Sequence, residues 1–291
     1  MARTILVCLA SVALLSACGG GGDDGRLRVV ASTNVYGDIV RQIGDGHVAV
    51  TSILTDPDAD PHLYEPGTAA GLAVARAGVV VQNGLGYDTF MDRLEEASPS
   101  DSRRVVTVAD LIGIRGSDAN PHLWYDVPAL DTVAAGIERA LAQSDPTHRR
   151  DYAAGRRRFV QRLRPVERVL RRIDRRAAST PIAYTEPVPA YLTQAAGLRN
   201  LAPQSFTHPI AQGSEPPAAA VAEMTDLVAK RRVRVLLYNK QAVSPVTARV
   251  RAAAQRAGVP VVAVTETLPR GASFQGWMLA QSRALAGALG V

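Results

Sequence analysis

One stretch near the middle of the chain, about Pro146 to Ala178, constrains the fold more than any other. Tyr152, Phe159, Leu163, Val166, Leu170 and Ile173 recur three, four or seven residues apart. That spacing makes one apolar stripe along a long helix, with arginines on the remaining faces. Pro165 falls inside the stripe and removes one backbone N–H, which predicts a kink or a break there. On both sides, short β-branched runs alternate with helical segments. Leu27–Ala31, Val48–Leu54, Val79–Gln82 and Val105–Val108 read as strands, with helices at Tyr36–Ile43 and Thr68–Ala77. After the long helix, Pro181–Tyr184, Val233–Tyr238 and Pro260–Val264 read as buried strands. Helices are expected at Ala190–Ala196, Ala218–Lys230, Pro245–Ala257 and Phe274–Leu289. Such alternation implies an α/β fold of two lobes, each a parallel sheet flanked by helices, joined by a single long helix. The expected boundaries are 27–145 for the first lobe, 146–178 for the linking helix and 179–291 for the second lobe. So stiff a link predicts a small tilt between lobes, not a wide hinge.

The first residues predict export. Arg3 supplies a positive charge and Ile5–Leu15 a short apolar run, too short to cross a bilayer as a helix. Leu15-Ser16-Ala17-Cys18 then resembles the lipobox of bacterial lipoproteins, in which the cysteine is acylated. Residues 1–18 are therefore expected to be a lipoprotein signal peptide with its acylated Cys18, and the Gly-rich residues 19–26 a flexible tether. The expected location is extracytoplasmic, lipid-anchored to the cell membrane. The only other cysteine, Cys8, leaves with the signal. The folded part then has no disulfide and no thiolate, so any metal must be held by histidines and carboxylates.

The formal net charge is +6, but it is concentrated. Residues 149–176 hold twelve Arg against Asp151, Glu167 and Asp174, a local +9, and the rest sums to about −3. One element is basic, not the protein. This argues against nucleic acid as a partner and fits the solvated face of one helix, with a weak pull toward anionic lipid as the alternative.

Two of the five histidines sit in matching settings. Asp60-Pro61-His62-Leu63-Tyr64-Glu65-Pro66 and Asn120-Pro121-His122-Leu123-Trp124-Tyr125-Asp126 each place Pro before the His and an aromatic two residues after it. Each follows a predicted strand, and open α/β sheets bind ligands at the carboxyl ends of their strands. Two imidazoles delivered there suit a divalent metal. His208 is expected at a rim or surface, and His47 and His148 in solvent.

These segments resemble the ABC-transporter substrate-binding lipoproteins that handle zinc and manganese. In that family a D-P-H-x-Y-E-P segment gives the first metal ligand and a D/N-P-H-x-W-x-D segment the second, which implies His62 and His122. The third ligand precedes a helix of the second lobe. Glu186-Pro187-Val188-Pro189-Ala190-Tyr191-Leu192 matches that stretch, so the resemblance implies Glu186. The fourth is an acid after the last strand, and Val264-Thr265-Glu266-Thr267-Leu268 implies Glu266, where the family usually has Asp. The similarity runs from about Leu27 to Leu289. The His-rich insertion of many zinc members has no counterpart, since residues 92–118 contain no His.

The resemblance implies a metal site in the cleft between lobes and a receptor that captures Mn²⁺ or Zn²⁺ as transported cargo. An oxygen-rich set with Glu as third ligand leans toward Mn²⁺, with a zinc receptor of the same class as the alternative. The implied partners are an ABC permease and its ATPase subunit, the chain itself being a monomer. No chemistry on the ligand is expected. A metal-dependent hydrolase is the rival class, but it needs an open coordination position and a general base, and no HExxH or GxSxG occurs. An adhesin finds no independent support in the residues, and a receptor for a larger chelate would make the His and Glu residues dispensable.

Overall fold

A computed structural model describes residues 25–56 and 64–291. Cys18, residues 19–24 of the expected tether and His62 lie outside the described residues.

The first half holds β1 (Leu27–Thr33), α1 (Asn34–Gly44), β2 (Val48–Leu54), α2 (Thr68–Ala75), β3 (Val79–Gln82), α3 (Thr89–Glu96), β4 (Arg104–Thr107), α4 (Val108–Ile112) and α5 (Leu130–Ser144). Then comes the long α6 (Arg149–Ala177). The second half holds β5 (Pro181–Tyr184), α7 (Ala190–Ala195), β6 (Arg199–Asn200), α8 (Gln204–Ala211), α9 (Ala218–Ala229), β7 (Leu236–Asn239), α10 (Pro245–Arg256), β8 (Val261–Val264) and α11 (Phe274–Leu289).

The strands form two four-stranded sheets, ordered β2-β1-β3-β4 and β6-β5-β7-β8, and every pairing is parallel. The two orders are the same pattern used twice. Both faces of each sheet are covered, so the strands read as continuous apolar runs, yet their period of two still divides them. Val29, Ala31, Val79 and Val81 face a large core shared with α1, α5 and α6. Val30 and Val80 face a smaller one with Val74, Phe90 and Met91. In the second sheet Ile182, Leu237 and Val262 join the large core, while Ala183 and Leu236 pack with Phe206, Met224 and Val250. The large core therefore reaches both sheets.

Helix α6 supplies its middle. All six residues of the predicted stripe are buried, with Gly155, Val169 and the rest of that face. Gly155 is required by a close approach, because a Cβ there would lie 2.1 Å from the carbonyl oxygen of Ile43 in α1. Helical hydrogen bonding continues past Pro165 without the predicted break. The neighbouring turns, packed through Leu163, Val166 and Val169, hold the helix across the one missing N–H.

Other departures are local. The fourth strand ends at Thr107, and Val108 opens α4. Strand β7 starts only at Leu236, where Ala183 and Val261 become available as partners, and runs one residue further, to Asn239. Helices α3, α4, α5 and α8 and the two-residue β6 go beyond the predicted elements. His47 and His148 are not free in solvent. Their rings stack at 3.8 Å beside the start of α6, and the Asp145 carboxylate lies 2.6 Å from both His148 Nδ1 and the Tyr152 hydroxyl. Burial raises the Asp145 pKa, but the hydrogen bonds from Tyr152 and His148 outweigh it and hold the carboxyl below its ordinary range.

Candidate metal centre

The site is assembled where the chain leaves its strands. In each sheet the strand order reverses beside the first strand, which is where open α/β sheets leave a crevice. Glu186 follows the end of β5 by two residues, and Glu266 follows the end of β8 by two. Sheet register thus sets where their backbones stand. His122 arrives differently, on a loop well past β4, at the start of a short 3₁₀ turn (Leu123–Tyr125).

Three of the four expected ligands meet. One ligand atom each from His122, Glu186 and Glu266 lies within 4.8 Å of the others, and all three side chains are buried. His122 Nε2 is 3.2 Å from Glu266 Oε2 and 3.8 Å from Glu186 Oε1. A tetrahedral ion with bonds of about 2.0–2.2 Å sets its ligand atoms about 3.3–3.6 Å apart, a spacing that the two distances from His122 Nε2 bracket.

The surroundings aim these atoms. Asn120 Oδ1 lies 2.6 Å from His122 Nδ1 and also accepts the His122 backbone N–H, while the Asn120 amide donates to the Pro187 carbonyl. With Oδ1 as acceptor, Nδ1 carries the proton and Nε2 turns its lone pair to the carboxylates, a tautomer assigned from this network. The Tyr191 hydroxyl, on α7, donates to the Asn120 carbonyl, so the loop bearing His122 is also tied to the helix that follows Glu186. Asn83, just past β3, donates to the carbonyls of Gly84 and Pro121, and its Oδ1 accepts from the Tyr36 hydroxyl. Asp88 accepts the backbone N–H groups of Asn83 and Gly84. Burial raises the Asp88 carboxyl despite those bonds.

On the other side, Asn239 donates to Glu186 Oε2 at 2.6 Å and to Glu266 Oε1 at 2.8 Å. The Tyr87 hydroxyl donates to Glu266 Oε2 at 3.2 Å. Burial, and then the charge of Glu266, hold the Tyr87 pKa well above ordinary, so it remains a donor. The backbone at 265–266 is fixed as well. The Tyr125 hydroxyl sits 2.7 Å from the Thr265 carbonyl, Trp277 Nε1 donates to Thr265 Oγ1, and Gln241 accepts the Glu266 N–H. Further out, Asn34 and Leu268 exchange two 2.9 Å bonds between the halves.

Beside the triad lies a cavity of 630 Å³ between the halves, lined by Tyr87, Asn120, Pro121, Pro187 and His208 among others. His208 is thus a half-buried wall residue on α8, at a rim as expected, and not among the clustered ligand atoms. Reading the sequence missed Asn239, Tyr87 and Asn83. For Asn239 a signal existed. It is a lone polar residue closing the apolar run Leu236-Leu237-Tyr238, the same kind of position from which Glu186 and Glu266 are delivered.

Residues 29–288 match the profile of a family described as the zinc-uptake complex component A, periplasmic. The chain belongs to this family. Relatives named for binding metals agree with that membership. The chain is 32% identical over 164 residues to the manganese-binding lipoprotein MntA of Halalkalibacterium halodurans, covering 54% of each chain. It is 24% identical over 259 residues to a putative metal-binding protein of Treponema pallidum, covering 83% of this chain and 80% of that one. With the first relatives the matched stretch spans about half their length, 54% for MntA and 57% for the manganese ABC transporter lipoprotein PsaA of Streptococcus anginosus. The fold matches the periplasmic zinc-binding protein TroA of Treponema pallidum, with TM-score 0.78 at 21% identity over 91% of this chain and 99% of that one. It also matches FpvC of Pseudomonas aeruginosa in complex with Mn²⁺, with TM-score 0.77 at 21% identity over 91% and 98%. Like those proteins, the chain has two parallel sheets flanked by helices and a long helix between them.

Proposed function

We propose that this chain is the extracytoplasmic substrate-binding protein of an ABC importer for a divalent transition metal, and that it is not an enzyme. The observation that carries the reading is the buried convergence of His122, Glu186 and Glu266, within 4.8 Å of one another, in a chain of this family. Two buried carboxylates facing one imidazole are costly without a cation, and a dication balances both charges. His122, Glu186 and Glu266 are the proposed ligands, with His62 as the fourth on the strength of its sequence context. The cargo is Mn²⁺ or Zn²⁺, and relatives bear names for manganese and for iron. The loaded protein docks on a permease whose ATPase partner drives transfer inward. A lipid on Cys18 holds the receptor, as a monomer, at the membrane. No helix among the described residues is long and apolar enough to cross one.

The chain divides functionally as its sequence suggests. Residues 27–145 and 179–291 supply two ligands each, and 146–178 joins them stiffly. The bonds between halves around the triad, Asn120 to Pro187 and Tyr87 to Glu266 among them, support a closed arrangement in which binding orders loops more than it moves lobes.

The test is titration of Mn²⁺ and then Zn²⁺, without oxygen, into the metal-stripped protein. One-to-one binding is expected, weakened more than about 100-fold in His62→Ala, His122→Ala, Glu186→Ala and Glu266→Ala. Stoichiometric binding of neither ion would end the metal-receptor reading. Unchanged affinity in His62→Ala would remove that residue alone from the ligand set.

A further inference from the structure

Asn239 occupies an unusual place between the two acids. Its Nδ2 donates to Glu186 Oε2 at 2.6 Å and to Glu266 Oε1 at 2.8 Å. Those are the outer oxygens. The inner ones, Glu186 Oε1 and Glu266 Oε2, are the pair that faces His122 Nε2 at 3.8 and 3.2 Å. An amide nitrogen carries two hydrogens, and here each goes to a different carboxylate. The side chain has no freedom to turn away. It is buried at the end of β7 and its Oδ1 accepts the Gln241 N–H at 3.0 Å, while the Asn239 backbone N–H donates to Thr185 Oγ1 at 3.2 Å. A carboxylate that chelates must turn both oxygens to the metal. Each glutamate here has its outer oxygen held by a fixed donor on the far side, while the inner oxygens still face His122 Nε2, Glu266 Oε2 doing so although it also accepts from the Tyr87 hydroxyl.

We propose that Asn239 is a positioning residue that limits Glu186 and Glu266 to one coordinating oxygen each, and so sets the discrimination between Zn²⁺ and Mn²⁺. The proposal rests on the metal-receptor reading above. Beside the His122 imidazole, single-oxygen carboxylates keep the number of protein oxygens at two and the coordination number low, which zinc accepts readily. Manganese is better served by more oxygen ligands, which the same two acids would provide if both chelated. The longer arm of Glu266, compared with Asp, gives it the reach to chelate. The Asn239 amide withholds that option. The residues that contact the ion therefore lean toward manganese by type, while the amide behind them pulls the site back toward zinc.

Two measurements test this. X-ray absorption on the unaltered protein, loaded in turn with each ion, counts its nearest neighbours. About four nitrogen or oxygen neighbours without a chelating carboxylate are expected for zinc. A chelating carboxylate in the zinc-loaded protein overturns the proposal, whatever any variant does. The second measurement compares affinities in Asn239→Ala, with Asn239→Leu as the variant that keeps the side-chain volume and loses both donors without adding a charge. The ratio of zinc to manganese affinity is expected to fall by about 10-fold or more in both, with added oxygen neighbours around manganese. A uniform loss for both ions, leaving the ratio within twofold, reveals a merely structural residue and overturns the proposal. Failure of the unaltered protein to bind either ion is a separate outcome, which strikes the metal-receptor reading itself and this proposal with it.

Discussion

The two halves of the centre are built by different means on the same plan. Both sheets have the order second-first-third-fourth, and both carry an asparagine where the third strand gives out, Asn83 just past β3 and Asn239 as the last residue of β7. In the second lobe the acids leave the strands within two residues, so sheet register places them, and Asn239 touches them directly. In the first lobe His122 sits on a loop, and Asn83 acts one step removed, through the Pro121 carbonyl. Asn120 must then orient the ring and bind the loop across the cleft. A ligand next to a strand is positioned by the backbone ladder. A ligand on a loop needs side-chain hydrogen bonds to do the same work, and each of those can be removed singly.

That difference yields graded expectations. The largest effect falls on the loop side. Asn120→Ala removes the partner of His122 Nδ1 and the bond to Pro187, and should weaken metal binding by about 10–100-fold, read by competitive titration. Retention of full affinity would show that the loop is held by its backbone, and the contrast between the halves would collapse. Tyr87→Phe should cost about 1 kcal/mol, near fivefold in affinity, because Glu266 keeps its strand-set position and its bond to Asn239. A loss as large as that of Asn120→Ala would mean that Glu266 depends on side-chain support as much as His122 does. The smallest effect on binding is expected from Asp145→Asn, remote from the centre at the start of α6. Its consequence is in stability against pH. A carboxyl held below its ordinary range stabilises the fold above about pH 4, and that contribution fades as pH falls through the lowered value. Asp145→Asn should therefore flatten the acid limb of the unfolding profile and leave metal affinity within twofold.

Much of this was legible in the chain because periodicity reports burial. The stripe from Tyr152 to Ile173 marked the face of α6 that enters the core, and Val48–Leu54, Val79–Gln82 and Pro181–Tyr184 stand as strands where their short apolar runs suggested. The repeated Pro-His-x-aromatic context singled out His122, and likeness to a family singled out Glu186 and Glu266. Short elements escaped, among them β6 with two residues and α4 with five, since so few residues show no period. The break expected as one outcome at Pro165 does not occur, because tertiary packing on either side of it outweighs one absent hydrogen bond. Stacking of His47 on His148, a hundred residues apart in the chain, has no local signature.

By itself the sequence determined the class of fold and the types of donor, because hydrophobic period and side-chain chemistry are properties of local segments. It also placed Glu186 and Glu266 just past strands. Only the tertiary structure decided how they face one another. Which nitrogen of His122 points inward depends on Asn120, and which oxygens of Glu186 and Glu266 point inward depends on Asn239, 53 and 27 residues away from them. Hydrogen bonds are directional and reach about 3 Å, so the partner that aims a side chain is fixed only once the chain has folded around it.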